Sequence, residues 1–310
     1  MDVSVDPTGS YNRIAAQTLM ERIAAGPLVM QGPMGSVFQG EPCGEDLPAA
    51  LWNLEEPQTV ERLHALYAHA GAQVLLTNTF QASGPCLSRD RISQSVGAVN
   101  RAAVDCARAA VASMGAMAPA VMGSMGPCGI AWFGEDDPRY LEAREAYREQ
   151  ACALLEASAD ALLLETFTSR RDLVPALAGA LDAADGMPVL VSFAVDDDGN
   201  LLGDGMNIEG AAMLAEREGA AAVGVNCCSI EAATACVLRM AQATGLPLMV
   251  RPSAGLPHRE GDALVWDERP QEFAAACTRW VADGASLVGA CCGTTPRTVA
   301  AMAEALDSQG

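Results

Sequence analysis

The stretch ALLLETFTSRRDLVPALAGALDAADGMPVLVSFAV, residues 161–195, sets two near-continuously apolar runs on either side of an alanine-rich segment. The runs Ala161–Phe167 and Pro188–Val195 are predicted to be strands covered on both faces, since neither alternates with polar residues as a half-solvated strand would. Between them, Arg170–Ala183 carries apolar residues at three- and four-residue steps, the spacing of a helix with one buried face. This strand–helix–strand unit recurs in both directions along the chain. The other predicted strands are Leu28–Gly32, Gln73–Phe80, Ala120–Ser124, Ala221–Cys227, Pro247–Pro252 and Ser286–Cys292. The other predicted helices are Thr59–Ala70, Ile92–Met114, Pro138–Ser158, Glu209–Glu218, Ile230–Thr244, Pro270–Ala282 and Pro296–Leu306, and a further helix, Tyr11–Ala24, is placed to close the bottom of a barrel. Eight strand–helix pairs in about 280 residues point to an α/β fold, a single (β/α)8 TIM barrel over residues 1–310 with an extra N-terminal helix, rather than an open doubly wound sheet. Ser83–Arg91 and Ile130–Arg139 read as elaborated loops on the active face.

Composition narrows the function. With 310 residues, 50% hydrophobic and 19% charged, the chain is not disordered. A net charge of −20 repels phosphate backbones and anionic lipid, so neither nucleic acid nor a membrane surface is an expected partner. Every apolar run is broken well short of the roughly 18 residues that a membrane span needs. The start, MDVSVDPTGSYNRIAAQ, lacks a basic region followed by an apolar one, so no export signal is expected. The 11 cysteines are then predicted to be reduced thiols in a cytoplasm, some of them ligands.

Barrel active sites lie at the C-terminal strand ends. These ends read Gln31-Gly32, Thr77-Asn78-Thr79-Phe80, Gly123-Ser124, Glu165-Thr166, Ser192, Asn226-Cys227-Cys228, Arg251-Pro252-Ser253 and Cys291-Cys292. Cys106, Cys152, Cys236 and Cys277 fall in helical patterns and read as small buried hydrophobes, Cys128 lies near the mouth but alone, and Cys43 and Cys86 carry no argument. Cys227, Cys291 and Cys292 differ, because three thiols converge where substrate can reach. Three protein ligands with one open position is the arrangement of a catalytic zinc site, and soft thiolates select Zn²⁺ over Mg²⁺ or Ca²⁺. Adjacent strand residues point to opposite faces, so the vicinal pair needs a kink, which Gly289 and Gly293 permit.

GVNCC at 224–228 and GACCGTTP at 289–296 resemble the two zinc signatures of the homocysteine S-methyltransferase family, which includes betaine–homocysteine methyltransferase, the S-methylmethionine-dependent enzymes and the homocysteine module of cobalamin-dependent methionine synthase. The resemblance runs nearly end to end. It takes in QGPMGS at 31–36, His64-x-x-Tyr67 with AGAQVLLTNTFQAS at 70–83, GSMGPCG at 123–129, LLLETF at 162–167, SFAVDDDGNLLGDG at 192–205 and PSAGLP at 252–257. The AGLP and CCGTTP stretches look closest to the methionine synthase module.

The resemblance implies a zinc-dependent transfer of a methyl group to a zinc-bound thiolate, normally homocysteine giving methionine, with Cys227, Cys291 and Cys292 as the zinc ligands. Only the thiolate is a good nucleophile, and a free thiol has a pKa of about 8.5, so metal binding supplies the reactive form. By the same resemblance Glu165 would hold the substrate ammonium, backbone amides around Gly32 would approach the amino acid, and Asn226 would be a weak ligand or donor beside the first cysteine. Gln31, Ser253 and Thr79 complete the substrate-binding set. His64 is expected on a helix near its packing surface, His69 and His258 are expected to be exposed, and none is assigned to metal.

Two departures stand out: the family has Asp where this chain has Gln31, and Asn where it has Ser253. Gln brings no charge to an ammonium, which opens a second acceptor, a thiol lacking the α-amino group. No D-x-H-x-x-G stretch of the kind that ligates cobalamin occurs, and the sequence ends after the eighth helix. A methyl-corrinoid donor is therefore expected on a separate corrinoid protein; the other donors are small cations, namely S-methylmethionine, S-adenosylmethionine or betaine. Trp132, Phe133 and Phe80 are the candidates for an aromatic cage around such a cation, or for caps on the barrel mouth. The same cysteines could instead serve a non-enzymatic zinc-binding or thiol redox protein, although a Cys291–Cys292 or Cys227–Cys228 disulfide would close a strained eight-membered ring.

Overall fold

A parallel strand that is apolar on both sides needs a hydrophobic layer on each, and in a closed barrel those layers are the interior and the ring of helices. The computed structural model, which describes residues 19–39, 47–134, 136–261 and 263–308, builds both layers. The strands in chain order are β1 Leu28–Val29, β2 Val74–Leu76, β3 Ala120–Met125, β4 Ala161–Phe167, β5 Val189–Phe193, β6 Ala222–Asn226, β7 Leu248–Arg251, the short pair β8 His258–Glu260 and β9 Ala263–Val265, and β10 Ala285–Val288. Eight of them form one sheet in the order β1-β10-β7-β6-β5-β4-β3-β2, every neighbour parallel. A parallel bridge between Met30 and Val74 joins the two ends. The Gln31 amide donates to the Val74 carbonyl at 2.9 Å and the Gln73 amide to the Val29 carbonyl at 2.7 Å. The (β/α)8 barrel expected from the rhythm is the observed fold.

The two-residue period sorts the strand side chains between the layers. Leu28, Met30, Val74, Leu76, Met122, Leu163, Leu190, Met249 and Leu287 pack together in the interior. Their neighbours Val29, Leu75, Val121, Leu162, Leu164, Val223, Val225 and Val250 face the helices. Full burial of each such side chain contributes about 1.5–3 kcal/mol. Residues 19–25 are helical, and Leu19 and Ile23 join the interior group at the end where the strands begin. This is the N-terminal helix expected over Tyr11–Ala24, of which residues 11–18 lie outside the described part, as does Cys43.

Differences from expectation trace to local hydrogen bonding. The helix expected from Ile92 starts at Val96, because the Ser95 side chain accepts from the Ala98 amide and caps it there. The strand expected to run to Phe80 ends at Leu76, since Thr77 and Thr79 join hydroxyls at 2.6 Å and the Thr79 amide turns back to the Thr77 carbonyl at 2.9 Å. Ser83–Arg91 is not a loop: Gly84–Arg89 is a helix, with Pro85 in its first turn, where a missing amide hydrogen costs no intrahelical bond. Ser-Gly-Pro reads equally well as loop punctuation and as a helix start. The β8–β9 hairpin went unpredicted because His258–Glu260 is exposed and polar and carries no apolar rhythm. Among the described residues no helix is long and apolar enough to cross a membrane.

The helices Arg139–Glu156 and Arg170–Ala184 meet closely at Gly179, where a Cβ would lie 2.2 Å from the Arg144 carbonyl oxygen. That atom is backbone and has no rotamer to yield. Gly179→Ala is expected to force the helices apart and destabilise the fold by about 1–3 kcal/mol, read as a lowered Tm in thermal unfolding by circular dichroism.

Candidate active site

The mouth of the barrel is assembled where β6, β7 and β10 end. The Cys227 amide donates to the Arg251 carbonyl at 3.3 Å and the Cys291 amide to the Pro252 carbonyl at 2.7 Å. The Ser253 amide returns to the Cys228 carbonyl and the Ala254 amide to the Cys292 carbonyl, each at 2.9 Å. These cross-links place the three cysteines side by side. Their sulfurs are 3.0 Å apart for Cys227 and Cys291, 4.0 Å for Cys227 and Cys292, and 3.9 Å for Cys291 and Cys292.

The vicinal pair can turn to one centre because the strand ladder stops at Val288. The Thr294 hydroxyl donates to the Cys291 carbonyl at 2.8 Å, and Gly293 sits at φ +80° in the left-handed region. Any Cβ on Gly293 would fall 2.1 Å from the Trp266 ring, so glycine serves both the turn and the close approach. Cys228, by contrast, packs into the outer apolar layer.

Asn226 organises the β6 side. Its Oδ1 accepts from the Ser192 hydroxyl at 2.7 Å and the Thr166 amide at 3.0 Å, and its Nδ2 donates to the Thr166 hydroxyl at 2.7 Å and the Cys227 sulfur at 3.3 Å. Thr166 and Cys227 both adopt positive φ, +66° and +55°, which is costly for residues with a Cβ. The bonds through Asn226 hold both turns. Within the trio, hydrogen bonds donated by Cys227 and Cys292 pull the Cys291 thiol well below the ordinary thiol range, aided by the nearby Arg251 cation. The same contacts push Cys227 upward.

The donor set fits Zn²⁺. Each cysteine offers one sulfur, and all three lie within 4.8 Å of one another. Tetrahedral zinc–sulfur bonds of about 2.3 Å space sulfurs about 3.8 Å apart, close to the two longer separations. A three-thiolate set leaves one tetrahedral position for an outside ligand.

The other residues expected at the site differ in burial and in hydrogen bonding. Glu165 is buried: the Ser124 hydroxyl donates to its Oε1, and the Arg251 guanidinium pairs with its Oε2 at 2.5 Å. Gln31 is also buried, its Oε1 3.1 Å from His64 Nδ1. Gly32 passes under Tyr67, whose hydroxyl would meet a Cβ there at 2.8 Å and donates instead to the Pro33 carbonyl at 2.7 Å. The Thr79 hydroxyl, fully buried, donates to the Ser124 carbonyl at 2.6 Å. The Ser253 hydroxyl, half-buried, reaches the Cys228 carbonyl at 3.3 Å.

The aromatic candidates contact other groups. Trp132 donates to the Arg171 carbonyl at 2.8 Å and packs edge-on against Tyr140, Phe133 lies under the Arg139 and Arg171 guanidiniums, and the Phe80 ring lies against Gly126. His69 and His258 are exposed, as expected. Cys106, Cys236 and Cys277 are buried in helices, and burial raises them to about 11, 11 and 12, which keeps them protonated. Cys152 is half-buried, and Cys86 and Cys128 are buried. Arg251 and His64 carry roles that sequence reading did not assign. The signal for Arg251 was present: an arginine closing the apolar run Leu248–Val250, at a strand end where the barrel places active groups. His64 gave no such signal, since a histidine on a packed helix face is ordinary.

Residues 28–306 match the family described as Homocysteine S-methyltransferase. The chain is 31% identical over 298 residues to "Homocysteine S-methyltransferase" of Escherichia coli (strain K12), covering 89% of this chain and 94% of that protein. It is 30% identical over 326 residues to "Methionine synthase" of Mycobacterium leprae (strain TN), covering 99% of this chain and 26% of that one. The chain thus spans about a quarter of the methionine synthases it matches. The crystal structure of the homocysteine methyltransferase MmuM from Escherichia coli in its metallated form superposes with a TM-score of 0.74 at 26% identity, covering 94% of this chain and 99% of that one. With the match running from the first barrel strand to the last helix and including the three-cysteine mouth, the chain belongs to the homocysteine S-methyltransferase family.

Proposed function

We propose that this chain is a zinc-dependent S-methyltransferase of the cytoplasm that moves a methyl group from an activated donor to the sulfur of a small thiol, with homocysteine going to methionine as the reaction its family carries. The observation that supports this most directly is the convergence of the Cys227, Cys291 and Cys292 sulfurs at one open end of the barrel. Zinc held by these three thiolates would favour the deprotonated form of an entering thiol and, carrying three negative ligands already, would leave its sulfur electron-rich.

The chain's own residues set up that chemistry. Asn226, locked by Ser192 and Thr166, fixes the Cys227 sulfur through its Nδ2–H. Cys291, the buried member, is already biased to the thiolate that metal binding requires. Gln31, Gly32, Thr79, Glu165 and Ser253 form the wall against which the rest of the acceptor lies. In the transfer, the acceptor sulfur forms its bond to the methyl carbon as the donor's bond to that carbon breaks, and the thiol proton leaves to solvent. The barrel contributes by aligning the two partners for an in-line displacement. S-Methylmethionine, S-adenosylmethionine, betaine, or a methyl-corrinoid on a separate protein would each supply a suitable leaving group.

A second acceptor, a thiol without the α-amino group, has an observation of its own behind it: Glu165, the acid meant for an ammonium, is paired with Arg251.

Zinc-edge X-ray absorption on the reduced, zinc-loaded protein is expected to give three sulfurs and one lighter atom, becoming four sulfurs when an acceptor thiol is added. Cys291→Ala and Cys292→Ala are each expected to lose stoichiometric zinc together with methyl transfer, measured by metal analysis and by product formation. Full activity in either variant would overturn the proposal.

A further inference from the structure

A buried polar group persists where something answers it, so the partners of the groups around the three thiols describe the molecule that completes the site. Among the described residues the buried carboxylates are Asp160 and Glu165. Asp160 stands just before β4, at the opposite end of the barrel, and accepts from Arg108 and from the Val121 amide, each at 2.7 Å. Glu165 is therefore the buried acid of the mouth, and both its oxygens are engaged, one by Ser124 and one by Arg251. The guanidinium, itself only 2% exposed, occupies the Oε2 side of Glu165. An incoming ammonium would meet a like charge and would have to break a buried ion pair to reach its acid.

Gln31 offers no substitute acid. His64 is completely buried, and burial lowers its pKa to about 3, so the ring is neutral. If His64 Nδ1–H donates to Gln31 Oε1, the ring is left with a bare lone pair on Nε2. With Oε1 turned to His64, the Gln31 Nε2 amide group is an unpartnered buried donor, and Arg251 Nε is a second. In the sheet order β1-β10-β7, Gln31 follows β1, Arg251 ends β7, and the strand between them leads into Cys291 and Cys292. Two unanswered donors thus sit on the strands that flank the one leading into Cys291 and Cys292, and Trp266 Nε1, against Gly293, is a third, while the buried acid of the mouth is already answered.

We infer that the acceptor is a thiol carrying a carboxylate and no α-ammonium, with Gln31 Nε2 and Arg251 Nε as the donors that read the carboxylate. Such hydrogen bonds to a charged acceptor are stronger than neutral ones. The inference rests on the S-methyltransferase reading above and alters only its acceptor: the sulfur–methyl bond forms, the donor–methyl bond breaks and the thiol proton leaves as before.

Titration calorimetry on the zinc-loaded, reduced protein tests this with homocysteine and with 4-mercaptobutanoate, the same chain without its amino group, while zinc-edge absorption counts sulfurs. The expected result is at least about tenfold tighter binding of 4-mercaptobutanoate, with a fourth sulfur on its addition. Gln31→Glu keeps the side-chain shape and the His64 bond but exchanges the free donor for an acid, and it is expected to shift the preference toward homocysteine by at least about tenfold. Homocysteine binding as tightly as 4-mercaptobutanoate, or tighter, in the wild-type protein overturns the inference and leaves the S-methyltransferase reading standing. If neither thiol adds a sulfur to the zinc, that reading fails and the inference falls with it.

Discussion

Two adjacent cysteines can serve one centre only where the backbone has left the extended ladder, and much of the barrel mouth follows from meeting that condition. β10 is wedged between β1 and β7 and ends early, at Val288. At Gly289 it runs so close to Met30 that a Cβ would lie 2.9 Å from the Met30 Cβ. Beyond that point the chain turns through Gly293 beneath Trp266 and is tied down by Thr294. Cys227 meets the pair from β6 through a left-handed turn of its own, which Asn226 stabilises. The apolar interior below carries the fold, and at the rim Thr166 and Cys227 hold left-handed turns where the side chains must converge.

Charge at the rim is balanced internally. A buried carboxylate and a buried guanidinium are each costly to remove from water, and together they persist because they meet at 2.5 Å with Ser124 completing the acid's hydrogen bonding. Arg251 also sits close enough to the cysteines to favour thiolate at Cys291. One arginine thereby compensates Glu165 and biases the sulfur centre, which makes β7 as important to the mouth as the strands that carry the cysteines.

Much of this was legible in the residues themselves. The βαβ rhythm around 161–195 reports local periodicity, and periodicity survives in any one-dimensional reading; Ala161–Phe167 and Pro270–Ala282 were placed to the residue. Once the barrel is inferred, its rule about strand ends selects the pairs Cys227-Cys228 and Cys291-Cys292, and the family resemblance picks Cys227, Cys291 and Cys292 from them. Boundaries were missed where a side chain ends an element early, as Ser95 does for its helix and Thr77 with Thr79 for β2. The polar β8–β9 hairpin and the helix Gly84–Arg89 were missed because their signals are shared with loops.

By itself, then, the sequence determined the barrel, the face that carries the chemistry and the cysteines that gather there, because each of these depends on periodicity and on position along a strand. Only the tertiary structure decided the partners. Arg251 finds Glu165 across 86 residues of chain, and His64 finds Gln31 across 33. Whether a buried acid is free or already answered depends on which long side chain reaches it across the closed mouth, a distance that no spacing along the chain encodes.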